Sequence, residues 1–169
     1  LYTIRDFAVK PGQPVKLVFV NSDATDHNLV IVKPDCMAEV GIAANEMAKD
    51  PRNVNSDFIP PTKGDLILHS TVMVGATRSR LIDVLRFEAP TEPGLYPYVC
   101  TFPGHWIVMN GVMVVAETDA EAETLLEASL PKVIKEWTMA DFADLDSAAR
   151  SKNSTAIAKG MAAFVNARC

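Results

Sequence analysis

Residues 98–113 read YVCTFPGHWIVMNGVM, and this stretch decides the interpretation of the chain. A strand-like run ends at Cys100, a Pro-Gly turn follows, and a second strand-like run begins soon afterwards. Short apolar runs joined by turn residues are typical of all-β domains. The loop between the two runs holds Cys100, His105 and Met109, although the chain has only 3 cysteines and 3 histidines. Three scarce metal-binding residues in one loop indicate a metal-binding site.

The sequence up to residue 116 has the pattern of an all-β domain. Turn residues separate seven strand-like runs: TIRDFAV (3–9), VKLVFVN (15–21), NLVIV (28–32), LILHSTVM (66–73), LIDVLRF (81–87), LYPYVCT (95–101) and GVMVVA (111–116). Short strands at this spacing predict a sandwich or a barrel. The exception is MAEVGIAANEMAK (37–49), whose helix-forming residues predict a helical insertion.

The charge balance and the predicted secondary structure change after the β region. Residues 1–116 carry 10 basic and 12 acidic side chains, residues 117–149 carry 2 and 9, and residues 150–169 carry 4 and 0. The run TDAEAETLLEASL has a cap residue and early acidic residues, which predict a helix. We therefore predict a β domain over residues 1–117, an acidic helical linker over residues 118–149, and a C-terminal helix over residues 150–169.

Composition argues against a nucleic-acid partner and against a membrane-spanning segment. The net charge is −5, and no cluster of Lys and Arg is available to neutralise phosphates, so we expect no nucleic-acid partner. Apolar runs such as VKLVFV (15–20) are far shorter than the roughly 20 residues that a membrane span needs, so we expect no span in this chain. The chain begins with Leu1 and not with Met, so we expect it to be a piece of a longer protein whose export signal lies outside it.

The spacing of residues in the loop predicts a copper site. Electron-transfer copper is bound by a thiolate, two imidazoles and a weak axial thioether. Cys100, His105 and Met109 supply three of these groups, and His27, at the start of another strand-like run, is the candidate for the second imidazole. Each residue alone would be an ordinary core residue. Their joint pattern favours a metal site.

The same region resembles the azurins, a family of blue copper proteins. The shared features are CTFPGH (100–105) followed by Met109, HSTVMVG (69–75), a helical insertion ending in FIPP (58–61), and DHNLV (26–30), in the same order. The resemblance covers residues 3–116. It implies a Greek-key β sandwich of the cupredoxin type, with a helical insertion and here a helical C-terminal extension.

The resemblance also implies roles for particular residues. The implied ligands of one type 1 copper are three equatorial residues and one long axial residue: His27, Cys100, His105 and axial Met109. Asn28 would tie the two ligand loops together through Thr101. The backbone N–H groups of Asn28 and Phe102 would donate to the sulfur of Cys100, a contact that tunes redox potential.

The chain departs from the azurin pattern at two positions. Asp26 precedes His27 where azurins have a glycine, so whether its carbonyl approaches copper is left open. Cys36 has no cysteine nearby to form the azurin disulfide, so we expect a free and largely buried thiol. His69 matches a surface histidine of azurins and is expected to be no ligand. Trp106 is expected either to be exposed on the rim or to pack under the loop.

The last residues, KGMAAFVNARC (159–169), resemble the first helix of a cytochrome c domain. That helix leads into the haem-attachment motif C-x-x-C-H. Cys169 would then be the first attachment cysteine of a haem c completed outside this chain. The alternative is an exposed amphipathic tail that ends in a stray cysteine.

These features predict an electron-transfer domain and not an enzyme. Its partners would be redox proteins, and first a cytochrome c domain of the same polypeptide. Both cofactors are assembled outside the cytoplasm, so we expect a periplasmic or other extracytoplasmic location. Electrons would leave through His105 within an apolar patch formed by neighbouring residues: Phe102, Pro103, Trp106, Ile107 and Val108.

Three other functions could use some of the same residues. A copper oxidase or nitrite reductase needs a second copper centre, and only His69 would remain to build one. A structural zinc site is disfavoured because zinc prefers four strong ligands to a thioether such as that of Met109. The main alternative is a periplasmic copper-binding or carrier protein without a redox role.

Overall fold

Seven β-strands and two α-helices are found in residues 1–130, the part of the chain that a computed structural model describes. The strands are β1 (Asp6–Val9), β2 (Pro14–Val20), β3 (Val30–Val32), β4 (Ile67–Ser70), β5 (Ile82–Glu88), β6 (Gly94–Val99) and β7 (Asn110–Val115). The helices are α1 (Met37–Met47) and α2 (Asp119–Ser129). Every predicted strand is present, and so is the predicted insertion helix.

The strands form two sheets that share one core. The first sheet has the order β1-β7-β6-β3-β4, with β1 parallel to β7 and the other neighbours antiparallel. The second consists of β2 and β5, which are antiparallel. Phe19 of β2 lies in the same buried apolar cluster as Ile31 and Tyr98 of the first sheet. The predicted β sandwich with a helical insertion is confirmed.

Strand register brings distant parts of the sequence to one end of the first sheet. Val99, the last residue of β6, pairs with Val30 at the start of β3 and with Asn110 at the start of β7. Antiparallel neighbours alternate in direction. The segments just before β3, just after β6 and just before β7 therefore meet at the same end of the sheet. Those segments carry the four ligands predicted from the sequence.

Helix α1 covers the outer face of the first sheet. Its buried residues Val40 and Ala44 are four positions apart and so lie on one helix face. Val40 belongs to a second apolar cluster with Val30, Val32 and Val99 of the sheet. This packing fixes α1 beside the loop that follows β6.

Helix α2 begins with a side-chain cap and packs against the first sheet near the end of β7. The Thr118 hydroxyl accepts a hydrogen bond from the Glu121 N–H at 3.2 Å, as expected for an N-cap. Ala122 is buried in an apolar cluster with Val114 and Ala116, with Leu125 and Leu126 packed against it. The compact unit therefore extends from Leu1 through Ser129.

The predicted segment boundaries stay predictions. The later part of the acidic linker, the C-terminal helix and Cys169 lie outside the described residues. Within residues 1–130, neither helix combines the length and the apolarity needed to cross a membrane.

Candidate metal centre

Two loops place the predicted ligands at the same end of the sandwich. His27 lies just before β3 and is held by paired backbone bonds with Val74, 2.9 Å and 2.8 Å long. Cys100 directly follows β6, and Met109 directly precedes β7. His105 begins a short 3-10 turn between them, over residues 105–107.

The ligand loop is shaped by its own hydrogen bonds. The His105 N–H donates to the Phe102 carbonyl at 2.9 Å, and the Met109 N–H donates to the His105 carbonyl at 2.7 Å. The Cys100 N–H donates to the Met109 carbonyl at 3.0 Å, which closes the loop at its base. Gly104 has a φ of 81°, a left-handed conformation that favours glycine. The Pro-Gly turn thus directs His105 back toward Cys100.

Three donor atoms converge in the structure. The Cys100 Sγ lies 3.6 Å from Nδ1 of His27 and 3.6 Å from Nδ1 of His105, and the two Nδ1 atoms are 3.2 Å apart. Separations of this size suit atoms that share one metal at bond lengths of about 2.0 to 2.3 Å. Among residues 1–130, this is the only cluster of three or more His, Cys, Asp or Glu side chains close enough to hold an ion.

Met109 lies in the same loop as Cys100 and His105. Its side chain is buried in the same apolar core as Cys100, and it lines the same cavity as His27. One thiolate, two imidazoles and a nearby thioether are soft and borderline donors of the kind that suit both Cu(I) and Cu(II). The donor set therefore fits copper better than zinc or a hard cation.

Comparison with known proteins agrees with this chemistry. Residues 1–116 match the family described as "Copper binding proteins, plastocyanin/azurin family". The chain belongs to the plastocyanin/azurin family. Copper is the cofactor of this domain, and the donor cluster provides for one type 1 site.

The relatives of this plastocyanin/azurin-family domain include the auracyanins. Auracyanin-A of Chloroflexus aurantiacus is 32% identical over 111 residues, which are 65% of this chain and 64% of that protein. Auracyanin-B of the same organism is 36% identical over 104 residues, which are 60% of this chain and 41% of that protein. The chain thus spans less than two thirds of the length of these curated relatives.

Solved structures confirm the cupredoxin fold. The crystal structure of dithionite-reduced auracyanin from Roseiflexus castenholzii has a TM-score of 0.56 at 34% identity and covers 68% of this chain and 86% of its own. The structure of Auracyanin A, described as a "blue" copper protein, has a TM-score of 0.55 at 28% identity and covers 68% of this chain and 87% of its own.

In this plastocyanin/azurin-family domain, a buried amide joins the two ligand loops. The side-chain amide of Asn28 donates to the Thr101 hydroxyl at 2.7 Å, and its carbonyl accepts from the Thr101 N–H at 2.8 Å. The same amide nitrogen donates to the Asp57 carbonyl at 2.9 Å. Asn28 and Thr101 are both fully buried. These bonds fix His27, which precedes Asn28, relative to Cys100.

The protein environment sets the charge states of the donor groups. Burial raises the pKa of the Cys100 thiol, and hydrogen bonds from the backbone N–H groups of Asn28 and Phe102 act against that rise. Burial, followed by repulsion from His27, lowers the pKa of His105. A neutral imidazole is the form that binds metal. The loop thus presents His105 in its ligating form.

Asp23 is a contact that sequence reasoning missed. Its carboxylate Oδ2 lies 3.4 Å from Nε2 of His27, on the side of the ring that faces away from Cys100. Metal-bound histidines commonly donate their other N–H to such a group, which orients the ring and strengthens the ligand. The signal was available: an acidic residue stands four positions before a predicted ligand.

Replacing Asp23 with Asn should raise the reduction potential of the copper site modestly. The carboxylate favours the more positive Cu(II) state, but Asp23 is more than half exposed, so solvent and salt weaken its effect. Spectroelectrochemistry at low and high salt measures this shift, with Glu46→Gln as a control at a surface ion pair. An unchanged potential at low salt would show that Asp23 does not act on His27.

The other singled-out residues lie outside the donor cluster. His69 stacks on Phe87 with ring centroids 4.2 Å apart, and burial lowers its pKa. The carboxylate of Asp26 is turned to Thr77 and Arg78, which donate hydrogen bonds to it. Cys36 is a free thiol at the start of α1, as predicted, and it is only partly exposed.

Trp106 packs under the loop instead of standing on the rim. Its ring lies against Gly41 of α1, where a Cβ atom would overlap the indole, and it contacts the cluster of Val30, Val40 and Val99. The indole contributes to packing, and the exposed apolar residues of the loop are Ile107 and Val108, each with 62% of its surface accessible.

Proposed function

We propose that this chain is an electron-transfer domain that carries one electron at a type 1 copper site. The observation that carries the proposal is the convergence of one cysteine and two histidines within 4.8 Å, with Met109 in the same core cluster as the cysteine. A bound copper ion supplies reversible one-electron chemistry between Cu(II) and Cu(I). Membership of a copper-binding family supports the same reading.

The proposed ligands are the three clustered donor residues and Met109 of the same loop as Cys100. His27, Cys100 and His105 would hold copper through Nδ1, Sγ and Nδ1, and Met109 would supply a weak thioether ligand. Asn28 and Thr101 hold the two loops at a fixed separation. A framework that keeps these atoms in place in both oxidation states favours rapid electron exchange.

The proposed route for electrons passes through His105. The exposed side chains of Ile107 and Val108 follow it directly, and Phe102 and Pro103 beside it are partly exposed. Exposed apolar groups that cluster on a surface mark docking sites, and redox encounters use small ones. We infer that redox partner proteins dock on this rim.

A haem in the same polypeptide is the proposed first partner. Residues 159–169 resemble the first helix of a cytochrome c domain, with Cys169 as a haem-attachment residue. A tethered haem would be reached at high effective concentration without diffusive encounter. Because copper and haem c are both assembled outside the cytoplasm, the proposed location is extracytoplasmic, and a periplasmic one fits. The four residues that follow Cys169 in the full-length protein test this: the order x-x-Cys-His supports the tethered haem, and any other order removes it.

A copper carrier without a redox role is the second candidate, and the burial of the site argues against it. Cys100 is fully buried, and His27 and Met109 are each at least 94% buried. A carrier must release its metal to an acceptor, which is easier from exposed ligands. A chelator competition therefore separates the two: the copper should exchange slowly with bathocuproine after reduction, whereas transfer within seconds would favour a carrier.

Addition of Cu(II) to the apoprotein tests the proposed function. The protein should take up one copper per chain and turn intensely blue, since a thiolate bound in the equatorial plane gives a strong charge-transfer band. Ascorbate should bleach the colour, and ferricyanide should restore it. A colourless product, or one that ascorbate reduces irreversibly, would overturn the proposal.

Replacing Met109 with Gln should keep the copper and lower the reduction potential. An amide oxygen is a harder ligand than a thioether and favours Cu(II) over Cu(I). We expect a decrease of about 60 mV or more, which corresponds to at least a tenfold shift of a one-electron equilibrium. Potentiometry measures it, and Met113→Leu, a core methionine on β7, serves as the control. A potential equal to that of the wild type would disprove the axial assignment.

A further inference from the structure

Helix α1 touches the ligand loop on both sides of His105. The side-chain carbonyl of Asn45 accepts a hydrogen bond from the Gly104 N–H at 2.7 Å. Gly41 lies flat against the indole of Trp106, where any Cβ would overlap the ring. Gly41 and Asn45 are four residues apart and so lie on one face of the helix. The two contacts thus bracket His105 directly.

The loop's own hydrogen bonds do not replace these contacts. The bonds from His105 to Phe102 and from Met109 to His105 shape the turn, but both of their partners belong to the turn itself. The position of His105 relative to His27 depends on what holds the turn from outside. On the side of α1, that support comes from the hydrogen bond accepted by Asn45 and from the packing of the Trp106 ring against the helix.

Packing holds the Trp106 ring in its position against α1. Its Nε1 is buried and has no hydrogen-bond partner among residues 1–130. An unpaired buried N–H is unfavourable, so among the described residues this position is selected by packing and not by a hydrogen bond of the indole. The ring is held between Gly41 and the apolar cluster of Val30, Val40 and Val99. A larger residue at position 41 would therefore displace the ring and the turn attached to it.

We propose that Gly41 and Asn45 are positioning residues for His105, and that α1 acts as a clamp that keeps its Nδ1 opposite His27 and Cys100 in both oxidation states. The inference rests on the proposed electron-transfer function. The less the ligand atoms move when the electron arrives, the faster the exchange. The helical insertion thus has a role at the site besides covering the sheet.

The first test is a double-mutant cycle between positions 41 and 106. Gly41→Ala raises helix propensity, so a damaged site in this variant cannot come from a weaker helix. We expect altered copper hyperfine splitting in the EPR spectrum and electron self-exchange slowed about tenfold. Trp106→Ala removes the ring atoms that the new Cβ would overlap, so adding Gly41→Ala to Trp106→Ala should change the rate and the spectrum no further. Ala38→Gly, at an exposed position of α1, weakens the helix without touching Trp106 and should leave the spectrum unchanged.

The second test uses Asn45 and needs no copper. In the apoprotein, Asn45→Ala should speed hydrogen exchange at the Gly104 amide and shift the imidazole resonances of His105, while those of His27 stay in place. Asn45→Asp keeps an acceptor oxygen and should preserve the wild-type behaviour when measured at high salt. If Gly41→Ala does not fold, the comparison of Asn45→Ala with Asn45→Asp still tests the positioning role of α1.

The outcomes separate this inference from the proposed function. If the wild type gives no blue copper form, the proposed function fails. If the wild type is blue and reversible, but Gly41→Ala and Asn45→Ala keep the wild-type EPR spectrum, His105 resonances and self-exchange rate within twofold, the clamp is disproved and the proposed function stands.

Discussion

The Cys100→Ser protein should stay colourless when Cu(II) is added. Cys100 is fully buried, and its sulfur lies within 3.6 Å of a nitrogen of each histidine, so it is the one donor able to give an intense thiolate-to-copper band. A serine hydroxyl does not ionise near neutral pH and is a hard donor that copper in this geometry binds poorly. We expect the visible band to be lost completely and copper affinity to fall by more than tenfold.

Cys36 provides the matched control for this experiment. It is a free and partly exposed thiol at the start of α1, outside the donor cluster. Cys36→Ser should therefore bind copper and show the blue band at wild-type intensity. Absorption spectra and copper content of the two variants, side by side, give the answer. A blue Cys100→Ser protein, or a colourless Cys36→Ser protein, would show that the metal lies elsewhere.

Asn28→Ala should destabilise the metal-free domain by about 2 to 4 kcal/mol. The buried Asn28 side chain makes three hydrogen bonds, to the hydroxyl and N–H of Thr101 and to the carbonyl of Asp57. Its removal leaves the buried Thr101 N–H without its acceptor and opens a cavity. Urea unfolding of the apoprotein, followed by circular dichroism, measures the loss without any contribution from copper.

Thr101→Val is the milder companion variant. Valine has nearly the same shape, keeps the Thr101 backbone N–H bonded to Asn28, and removes only the hydroxyl acceptor. We expect a loss of about 1 to 2 kcal/mol. If Asn28→Ala unfolds at the same urea concentration as the wild type, the amide does not join the two loops as described.

The fold follows from sequence patterns that are local and repeated. The seven strands come from short β-branched and aromatic runs bounded by turn residues, and α1 from a run of helix formers between Cys36 and Asp50. The meeting of His27 with Cys100 is not local, because 73 positions separate them. Residue types and spacing suggested that meeting, together with the azurin resemblance, and the register of β3 with β6 explains it.

What sequence reasoning missed depends on packing between elements. Nothing in MAEVGIAANEMAK indicates that Gly41 and Asn45 face the ligand loop, because that depends on how α1 rotates on the sheet. The same packing draws Trp106 inward, which is one of the two positions that the sequence left open. The assignment of His27, Cys100, His105 and Met109 as ligands stays a prediction that the variants above test.

A spectroelectrochemical titration of the copper-loaded protein tests whether its copper site carries one electron reversibly. The blue band should disappear and return along a single curve with the slope of a one-electron couple, with one copper per chain and no loss of intensity over repeated cycles. A band that fails to return, a slope that does not fit one electron, or release of copper on reduction would contradict an electron-transfer role.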